Sequence, residues 1–259
     1  MDINYVGLLE DRLYKHDYTP PPETIALTVD NKTIGTLGNF VVVSGLPKAG
    51  KSTYINSIIA SNYIYGRSKF GITLTPEYSR PLIGYFDTES APFDFYRNVS
   101  RIRSLAGGAP LETLASFSTR QDNTEINKGL IEAFCANYRA SVVIIDGLLD
   151  IIINFNDERE SRYIIEWLKR ITYQYNVLII GVLHTGKKDG HTLGHFGSMV
   201  DRYAQSVLEV TFEEETNIYR MKAKYLRSAA RFEDITIQFT GSDYIQAFGV
   251  PSPKKKSPA

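Results

Sequence analysis

A glycine-rich segment in the first quarter of the chain has the residue types and the spacing that can hold a phosphate group. Gly45 and Gly50 frame the pattern G-x-x-x-x-G-K-[ST], which Lys51 and Ser52 complete. Glycines let the backbone curl so that several N–H groups point at one anion, and a helix N-terminus behind them adds partial positive charge. The sequence therefore predicts a phosphate-binding loop, whose residues are Gly45, Leu46, Pro47, Lys48, Ala49, Gly50, Lys51, Ser52 and Thr53.

The last residues of the motif bring a charge and a metal ligand. Lys51 can place a full positive charge on the β- and γ-phosphates of a nucleoside triphosphate, and the Ser52 hydroxyl can ligate Mg²⁺. The loop follows the apolar run 40–43 and precedes residues 52–62, which have helical spacing; this is the context that the motif requires. Two roles stay open for Lys48, a phosphate contact and a plain surface position.

Two predicted strands end in carboxylates. The apolar run 142–145 leads into Asp146, which at the carboxyl edge of a parallel sheet can hold the magnesium shell through water; the alternative is an aspartate that caps a turn. The run 82–86 leads into Asp87 and Glu89. Glu89 is the better candidate to orient the water that attacks the γ-phosphate, and Asp87 can bind the metal or cap the next helix. Alternatively, both are ordinary acids at a helix start.

A histidine ends a third predicted strand. His184 follows the run 177–183, and we expect it beside the γ-phosphate, where a polar side chain can sense the loss of that group. The main alternative is a buried histidine with satisfied hydrogen bonds. Zinc binding is disfavoured, because Cys135 is the only cysteine and the histidines lack paired ligand spacing.

Basic residues follow in the last third of the chain. Lys224 and Arg227 lie on and after a predicted strand, where two cations can reach the γ-phosphate of a neighbouring subunit and stabilise transition-state charge. A surface charge cluster is the alternative. The polar segment 185–196 is typical of a loop that contacts a nucleic-acid backbone, or of a plain solvated loop.

The alternation of apolar runs and helical spacing predicts the elements that position these residues. Buried strands are expected at 40–43, 82–86, 142–145 and 177–183. Helices are expected over 52–62, 94–105, 123–137 and 158–175. This order predicts an α/β fold with a mostly parallel central sheet and helices on both faces. A hairpin is expected at 24–37, and short antiparallel strands on the C-terminal side at 206–212, 218–223, 234–239 and 244–248.

The composition excludes several classes of protein. The 259 residues are 43% hydrophobic and 22% charged, which excludes a mainly disordered chain. Lys+Arg and Asp+Glu each number 29, so the zero net charge excludes a globally basic binder, although a local basic patch is allowed. A single cysteine excludes an intramolecular disulfide. We see neither a signal peptide nor a run of roughly 20 apolar residues, and therefore expect a cytoplasmic protein outside the membrane.

With these motifs in order, the chain resembles the RecA-like, DnaB-type ATPases, in particular the hexameric plasmid replicative helicases and their relatives on mobile elements. The likeness covers residues 24 to 239. The segments that carry it are Thr36–Phe40 leading into the loop, Tyr85–Glu89, Val143–Gly147 with Asp150, Asn154–Glu158, Val182–His184 and Gly194–Ser198.

The resemblance implies a RecA-like P-loop core that hydrolyses ATP with Mg²⁺ between the subunits of a homo-oligomeric, hexameric ring. It implies that Glu89 is the catalytic base, Asp146 the Walker B acid and His184 the γ-phosphate sensor. Lys224 and Arg227 resemble the fingers that act in trans. Single-stranded DNA would pass through the ring, with Arg159, Lys187 and Lys188 as candidate phosphate contacts.

Three segments and two functions follow as expectations. Residues 1–22 are predicted to form a helix and a Pro-rich linker, 23–249 the RecA-like ATPase domain, and 250–259 a disordered basic tail. The first function is an ATPase motor coupled to binding or translocation on single-stranded DNA. The second is an ATP-switched DNA-binding or assembly regulator with slow turnover and no unwinding.

The N-terminal segment also predicts a contact between subunits. Its apolar residues recur at helical spacing, which favours a helix that packs on an adjacent subunit, as in RecA-type rings. The alternative is a helix that covers its own domain. The residues of this stripe are Tyr5, Val6, Leu8, Leu9 and Leu13.

Overall fold

The computed structural model describes residues 3–64, 70–186, 194–239 and 244–246. Its helices are α1 (Tyr5–Arg12), α2 (Lys51–Ser61), α3 (Pro92–Leu105), α4 (Thr124–Asn137), α5 (Glu158–Tyr175) and α6 (Gly194–Tyr203), with a 3₁₀ turn at Leu148–Ile151. Its strands are β1 (Ile25–Val29), β2 (Lys32–Thr36), β3 (Phe40–Gly45), β4 (Ile72–Leu74), β5 (Leu82–Asp87), β6 (Leu114–Ser118), β7 (Ala140–Asp146), β8 (Leu178–His184), β9 (Ser206–Glu213), β10 (Ile218–Leu226), β11 (Ile235–Phe239) and β12 (Tyr244–Gln246).

Nine of the described strands form one main sheet in the order β12-β11-β10-β9-β3-β8-β7-β5-β6. Each neighbouring pair from β9 to β6 is parallel, whereas β9, β10, β11 and β12 pair antiparallel in succession. This arrangement confirms the predicted fold class. The predicted hairpin of β1 and β2 is present, but it belongs to a separate three-stranded sheet with β4.

The pairing of β9 with β3 differs from the expectation. The sequence predicts β9 as one of the antiparallel strands, but β9 runs parallel to β3, with Val43 opposite Leu208. A parallel neighbour needs a crossover connection, and α6 provides it. The polar composition of residues 185–196 does not predict this helix. Strands β4 and β6 also escape the sequence analysis, since β4 has three residues and β6 is a half-exposed edge strand.

Helices cover both faces of the main sheet, as predicted. On one face Ile59 of α2 and Ile102 of α3 share a core with Val43 of β3. On the other face Leu168 of α5 shares a core with Val42 of β3. Because successive residues of β3 point into opposite cores, the whole strand is buried, as is typical of a central parallel strand.

Local capping explains where the long helices begin and end. The Asn123 side chain accepts the N–H of Ile126 at the start of α4, and the Asp157 side chain accepts the N–H of Glu160 at the start of α5. Asn176 ends α5 in the left-handed conformation. Helix α5 therefore has the bounds that its apolar spacing predicts.

The N-terminal helix α1 is open to solvent along its whole length. It ends at Arg12, and none of its residues is buried. The side chain of Leu9 in α1 is 71% exposed, and that of Leu13, which follows the helix, is 72% exposed. The predicted basic tail 250–259 lies outside the described residues. None of the helices in the described part of the chain combines the length and the apolar character needed to cross a membrane.

Candidate nucleotide site

The phosphate-binding loop joins β3 to α2, as its motif requires. Gly50 has a φ of +91°, a left-handed conformation that favours glycine, and a Cβ there would lie 2.2 Å from the Tyr219 ring. A Cβ on Gly45 would lie 2.4 Å from the carbonyl oxygen of Val210. Close packing against β9 and β10 therefore requires glycine at both positions of the motif.

The Lys51 ammonium group bonds to its own loop. Its Nζ donates to the carbonyl oxygens of Gly45 at 3.1 Å and Leu46 at 2.8 Å, and it lies 3.1 Å from His184 Nδ1. Burial lowers the pKa of Lys51, and the nearby charges of Glu89 and Asp146 oppose that shift. Lys51 therefore bonds to weak, neutral acceptors, which a phosphate can replace.

His184 connects the lysine with the predicted catalytic base. Its Nε2 lies 3.1 Å from Glu89 Oε1, while its Nδ1 faces Lys51 Nζ. An ammonium group can only donate, so Nδ1 accepts and Nε2–H donates to the Glu89 carboxylate. A continuous hydrogen-bonded chain therefore joins Lys51, His184 and Glu89.

Two carboxylates lie side by side at the ends of β5 and β7. Asp87 is opposite Asp146 in the parallel register, and the Tyr85 hydroxyl lies between them, 3.2 Å from Asp87 Oδ2 and 3.3 Å from Asp146 Oδ2. Burial, followed by the charges of Asp87 and Glu89, raises the pKa of Asp146 to about 7. Asp146 therefore holds a proton more tightly than an ordinary aspartate does.

Asp87 positions the segment that carries the predicted base. Its Oδ1 accepts the backbone N–H groups of Glu89 at 3.1 Å and Ser90 at 2.8 Å, and its side chain is buried. The sequence allows two roles for Asp87, binding a metal and capping the turn between strand and helix. These hydrogen bonds support the second. Helix α3 itself begins later, at Pro92.

A second polar cluster, formed by Thr88 and Asp150, packs against Gly147, the residue after Asp146. The Thr88 hydroxyl lies 2.9 Å from the carbonyl oxygen of Asp146 and donates to Asp150 Oδ2 at 2.6 Å. A Cβ on Gly147 would lie 2.1 Å from the Thr88 hydroxyl oxygen, so only glycine fits there. Burial raises the pKa of Asp150, and the Thr88 bond partly offsets that shift.

A cavity opens beside the loop and extends along β9. Its volume is about 430 Å³, and its walls include Pro47, Thr185 and Phe212. This space is on the scale that ligand pockets have in proteins. The loop can therefore hold phosphates while the rest of a nucleotide lies in the adjoining cavity.

Comparison with known proteins agrees with this geometry. The family model of the AAA domain matches residues 19–190, more than half of the chain. The chain belongs to the AAA domain family. No curated protein is significantly similar to it in sequence.

The AAA domain also has a solved structural relative. The fold is similar to that of a KaiC-like protein from the hyperthermophilic archaeon Pyrococcus horikoshii, with a TM-score of 0.56 at 14% sequence identity. The match covers 82% of this chain and 90% of that one. Family and fold together support a RecA-like P-loop ATPase.

The donor set of this AAA domain fits Mg²⁺. The Ser52 hydroxyl lies in the first turn of α2, and Asp146 ends β7 at the same edge of the sheet. Mg²⁺ prefers oxygen ligands, keeps several waters and takes others from the phosphates of its substrate. No group of three or more His, Cys, Asp or Glu side chains within the described residues could hold a metal ion on its own.

The basic residues predicted as fingers lie apart from the AAA domain's own loop. Lys224 Nζ bonds Asp201 of α6 at 2.9 Å, and the Arg227 backbone N–H donates to the carbonyl oxygen of Gln205. The strand that carries Lys224 runs back toward the start of β3, since Leu226 lies opposite Ser206 at that end. The structure thus brings Lys51, Glu89, Asp146 and His184 together and leaves Lys224 and Arg227 outside their cluster.

The remaining predicted residues fall in different places. Lys48 is exposed with a φ of +64°, whereas Thr53 is buried in α2. Arg159 is exposed in the first turn of α5. Lys187 and Lys188 lie outside the described residues.

Sequence reasoning missed Tyr85 and Thr88 as parts of the site. Tyr85 could have been found, because residues two apart on a strand point to the same face and Asp87 lies two positions later. Thr88 gives no such indication, since its partner Asp150 belongs to a separate turn. Its role depends on how β5 and β7 meet in the fold.

Proposed function

We propose that this chain hydrolyses ATP with Mg²⁺ as a ring-forming ATPase coupled to binding or translocation on single-stranded DNA, as a DnaB-type replicative helicase does. The observation that carries the ATP hydrolysis in this proposal is the hydrogen-bonded chain from Lys51 through His184 to Glu89. It connects the residue expected to bind the phosphates with the residue expected to orient the attacking water.

ATP binding would rearrange this chain of side chains in order. Phosphate oxygens are stronger acceptors for the Lys51 ammonium than the neutral carbonyls that hold it in the loop. When Lys51 turns to the phosphates, His184 Nδ1 loses its donor and the imidazole is free to face the γ-phosphate. Glu89 then loses its bond to His184 and can accept the proton of the attacking water.

The metal would be held at the edge of the sheet. The Ser52 hydroxyl and, through water, Asp146 would hold Mg²⁺, whose charge offsets the charge that develops on the transferred phosphoryl group. Asp87 keeps the Glu89 backbone in place through the two N–H bonds of its turn. Tyr85 keeps the Asp87 and Asp146 carboxylates at a fixed spacing.

A second copy of the chain would complete each site. Lys224 and Arg227 lie away from their own loop, which suits residues that act on the nucleotide of a neighbour in a hexameric ring. The exposed apolar residues of α1 suit a helix that packs on an adjacent subunit. Deletion of residues 1–19 should therefore reduce the assembled fraction in sedimentation experiments, and an unchanged profile would contradict this contact.

Contact with DNA would involve the segments that follow Asp146 and His184. Arg159 is exposed and belongs to the first of these regions. Its phosphate contact, like those of Lys187 and Lys188, is a proposal from the family resemblance. Such contacts weaken as salt rises, because bound counterions are released from the strand.

The test is ATP turnover with and without an oligothymidine strand, on protein whose mass is measured by light scattering. We expect the strand to stimulate turnover and Glu89→Gln to reduce it at least 100-fold, with nucleotide affinity retained. Glu112→Gln, at an exposed position outside the site, is the matched control. A Glu89→Gln protein that turns over at the wild-type rate would remove the mechanism.

One observation favours the second function, an ATP-switched assembly regulator. The exposed stripe of α1 points to assembly, and assembly alone does not require a motor. Such a regulator would associate in a nucleotide-dependent way, turn ATP over slowly and displace no strand from a duplex. A strand-displacement assay on the assembled protein separates the two functions.

A further inference from the structure

A groove opens at the edge of the main sheet opposite the phosphate-binding loop. It lies where β3 begins, between α5 and the end of α6, and has a volume of about 560 Å³. We call it the α5–α6 groove; the residues that define it are Phe40, Lys169, Tyr173, Tyr203 and Arg227. Lys51, Glu89, Asp146 and His184 do not line it.

Two cations of the groove have no acidic partner among the described residues. Lys169 is exposed, and its Nζ lies over the Tyr203 ring at 5.4 Å from the centroid. The exposed side chain of Arg227 forms no ion pair within the described residues either. Arg170, which also borders the groove, differs because Glu132 binds it at 2.8 Å. The groove therefore has positive charge available for an anion.

Two tyrosine rings of the groove are open to solvent. Tyr173 is 85% exposed and Tyr203 is 46% exposed. Lys169 and Tyr173 are four residues apart on α5, so they lie on the same face of the helix. Exposed rings beside free cations are the combination on which unpaired bases stack while their phosphates are neutralised.

A similar pair on the other side of α5 shows what is special about the groove. Lys128 Nζ lies over the Tyr163 ring at 5.0 Å, but the Lys128 side chain is only 8% exposed and bonds Glu125 at 2.7 Å. That lysine is neutralised by its own neighbour. In the groove, by contrast, both the ring and the charge remain available to a ligand.

We propose that the α5–α6 groove binds single-stranded nucleic acid, with bases stacked on Tyr173 and Tyr203 and a phosphate on Lys169. A single strand fits better than a duplex, because only an unpaired base can offer its face to an exposed ring. The proposal rests on the proposed coupling to single strands and gives it a second surface, away from the loops after Asp146 and His184.

Two acids, Glu158 and Glu166, line the small cavity that adjoins the groove, and Glu166 gives the charge argument a direct check. Glu166, one turn before Lys169, is exposed and lines the adjoining small cavity with Arg202. Removal of its charge should tighten strand binding, since a carboxylate there repels phosphate. We expect Glu166→Gln to lower the dissociation constant about twofold.

The experiment measures the anisotropy of fluorescein-labelled oligothymidine on the full-length chain without nucleotide. We expect Lys169→Ala/Tyr173→Ala to weaken binding at least tenfold and to lower the salt slope by about one phosphate contact. Tyr173→Phe should bind as the wild type does, because the ring is kept. Tyr163→Ala, also an exposed tyrosine of α5, should change nothing. Arg227 is left unchanged, since it carries the role in trans proposed above.

Several results would overturn the proposal. They are wild-type affinity in Lys169→Ala/Tyr173→Ala with an unchanged melting temperature, equal loss in Tyr163→Ala, and equal competition by polyglutamate, which would reveal a plain cationic patch. Absence of binding by the wild type would do the same. Glu89→Gln separates the two proposals, because it should abolish turnover and keep this nucleotide-free binding.

Discussion

The two edges of the main sheet use charge in opposite ways. At the carboxyl edge Lys51, His184 and Glu89 bond to one another, and Tyr85 bridges the two carboxylates. At the other edge Lys169 stands over a tyrosine ring without an acidic partner among the described residues. A closed network of this kind is suited to chemistry that a ligand must trigger, whereas open cations are suited to binding a polyanion.

Substitution of the loop lysine should have the largest effect on this comparison. Lys51→Ala removes the buried charge that the loop offers to the phosphates and leaves the carbonyls of Gly45 and Leu46 without their donor. We expect ATP turnover to fall at least 100-fold and nucleotide binding to weaken with it. Turnover and calorimetric titration with an ATP analogue measure the two effects. Residual turnover above a tenth of the wild-type rate would show that the closed network is not the phosphate site.

Asp87→Asn tests whether the carboxyl edge is organised around Glu89. The amide keeps the shape but accepts the N–H groups of Glu89 and Ser90 less strongly, so we expect about a tenfold loss of kcat with little change in KM. It also removes a charge that raises the pKa of Asp146. The acidic limb of the pH–rate profile should therefore move to lower pH, an effect that a merely structural role would not produce.

Asp146→Asn tests whether the two buried carboxylates, Asp87 and Asp146, destabilise the native protein when both are charged. The native protein binds the Asp146 proton more tightly than the unfolded chain does, because the folded pKa is raised to about 7 from an ordinary value near 4. Native stability is therefore lost as pH rises through that window, and the asparagine variant escapes the loss. We expect the variant to gain at least about 3 °C in Tm over the wild type between pH 4 and pH 8. A Tm difference independent of pH would contradict the shifted pKa.

The smallest expected effect is at the opposite edge. Tyr173→Ala removes an exposed ring that contacts none of the nucleotide-site residues, so basal turnover without DNA should stay within about twofold of the wild type. Steady-state ATPase assays in the absence of any strand measure this. A large loss of basal turnover would show that the two edges are not separate sites.

Much of the nucleotide site follows from local pattern. Parallel strands end at one edge, so Glu89, Asp146 and His184 could be placed beside the phosphate loop from the runs that precede them. The motif Gly45 to Ser52 adds its own context of a strand before and a helix after it. These residues need no knowledge of which strands are neighbours.

The rest depends on how distant segments meet. The parallel pairing of β9 with β3 requires the crossover helix α6, which the polar residues before Gly194 do not predict. The bond from Thr88 to Asp150 and the groove between Lys169 and Tyr203 join segments that no short pattern connects. The trans role of Lys224 and Arg227, the ring and the domain bounds remain predictions from the resemblance.

The central strand β3 also fixes the distance between the groove and the phosphate loop. It begins at Phe40, which lines the groove, and ends at Gly45, which opens the phosphate loop. Six extended residues span about 20 Å, and a strand bonded to neighbours along both flanks has little freedom to stretch or slide. A shift at one end of β3 would therefore also move the other end. Binding of a strand in the groove and binding of a nucleotide at the loop would thus be coupled through the same six residues.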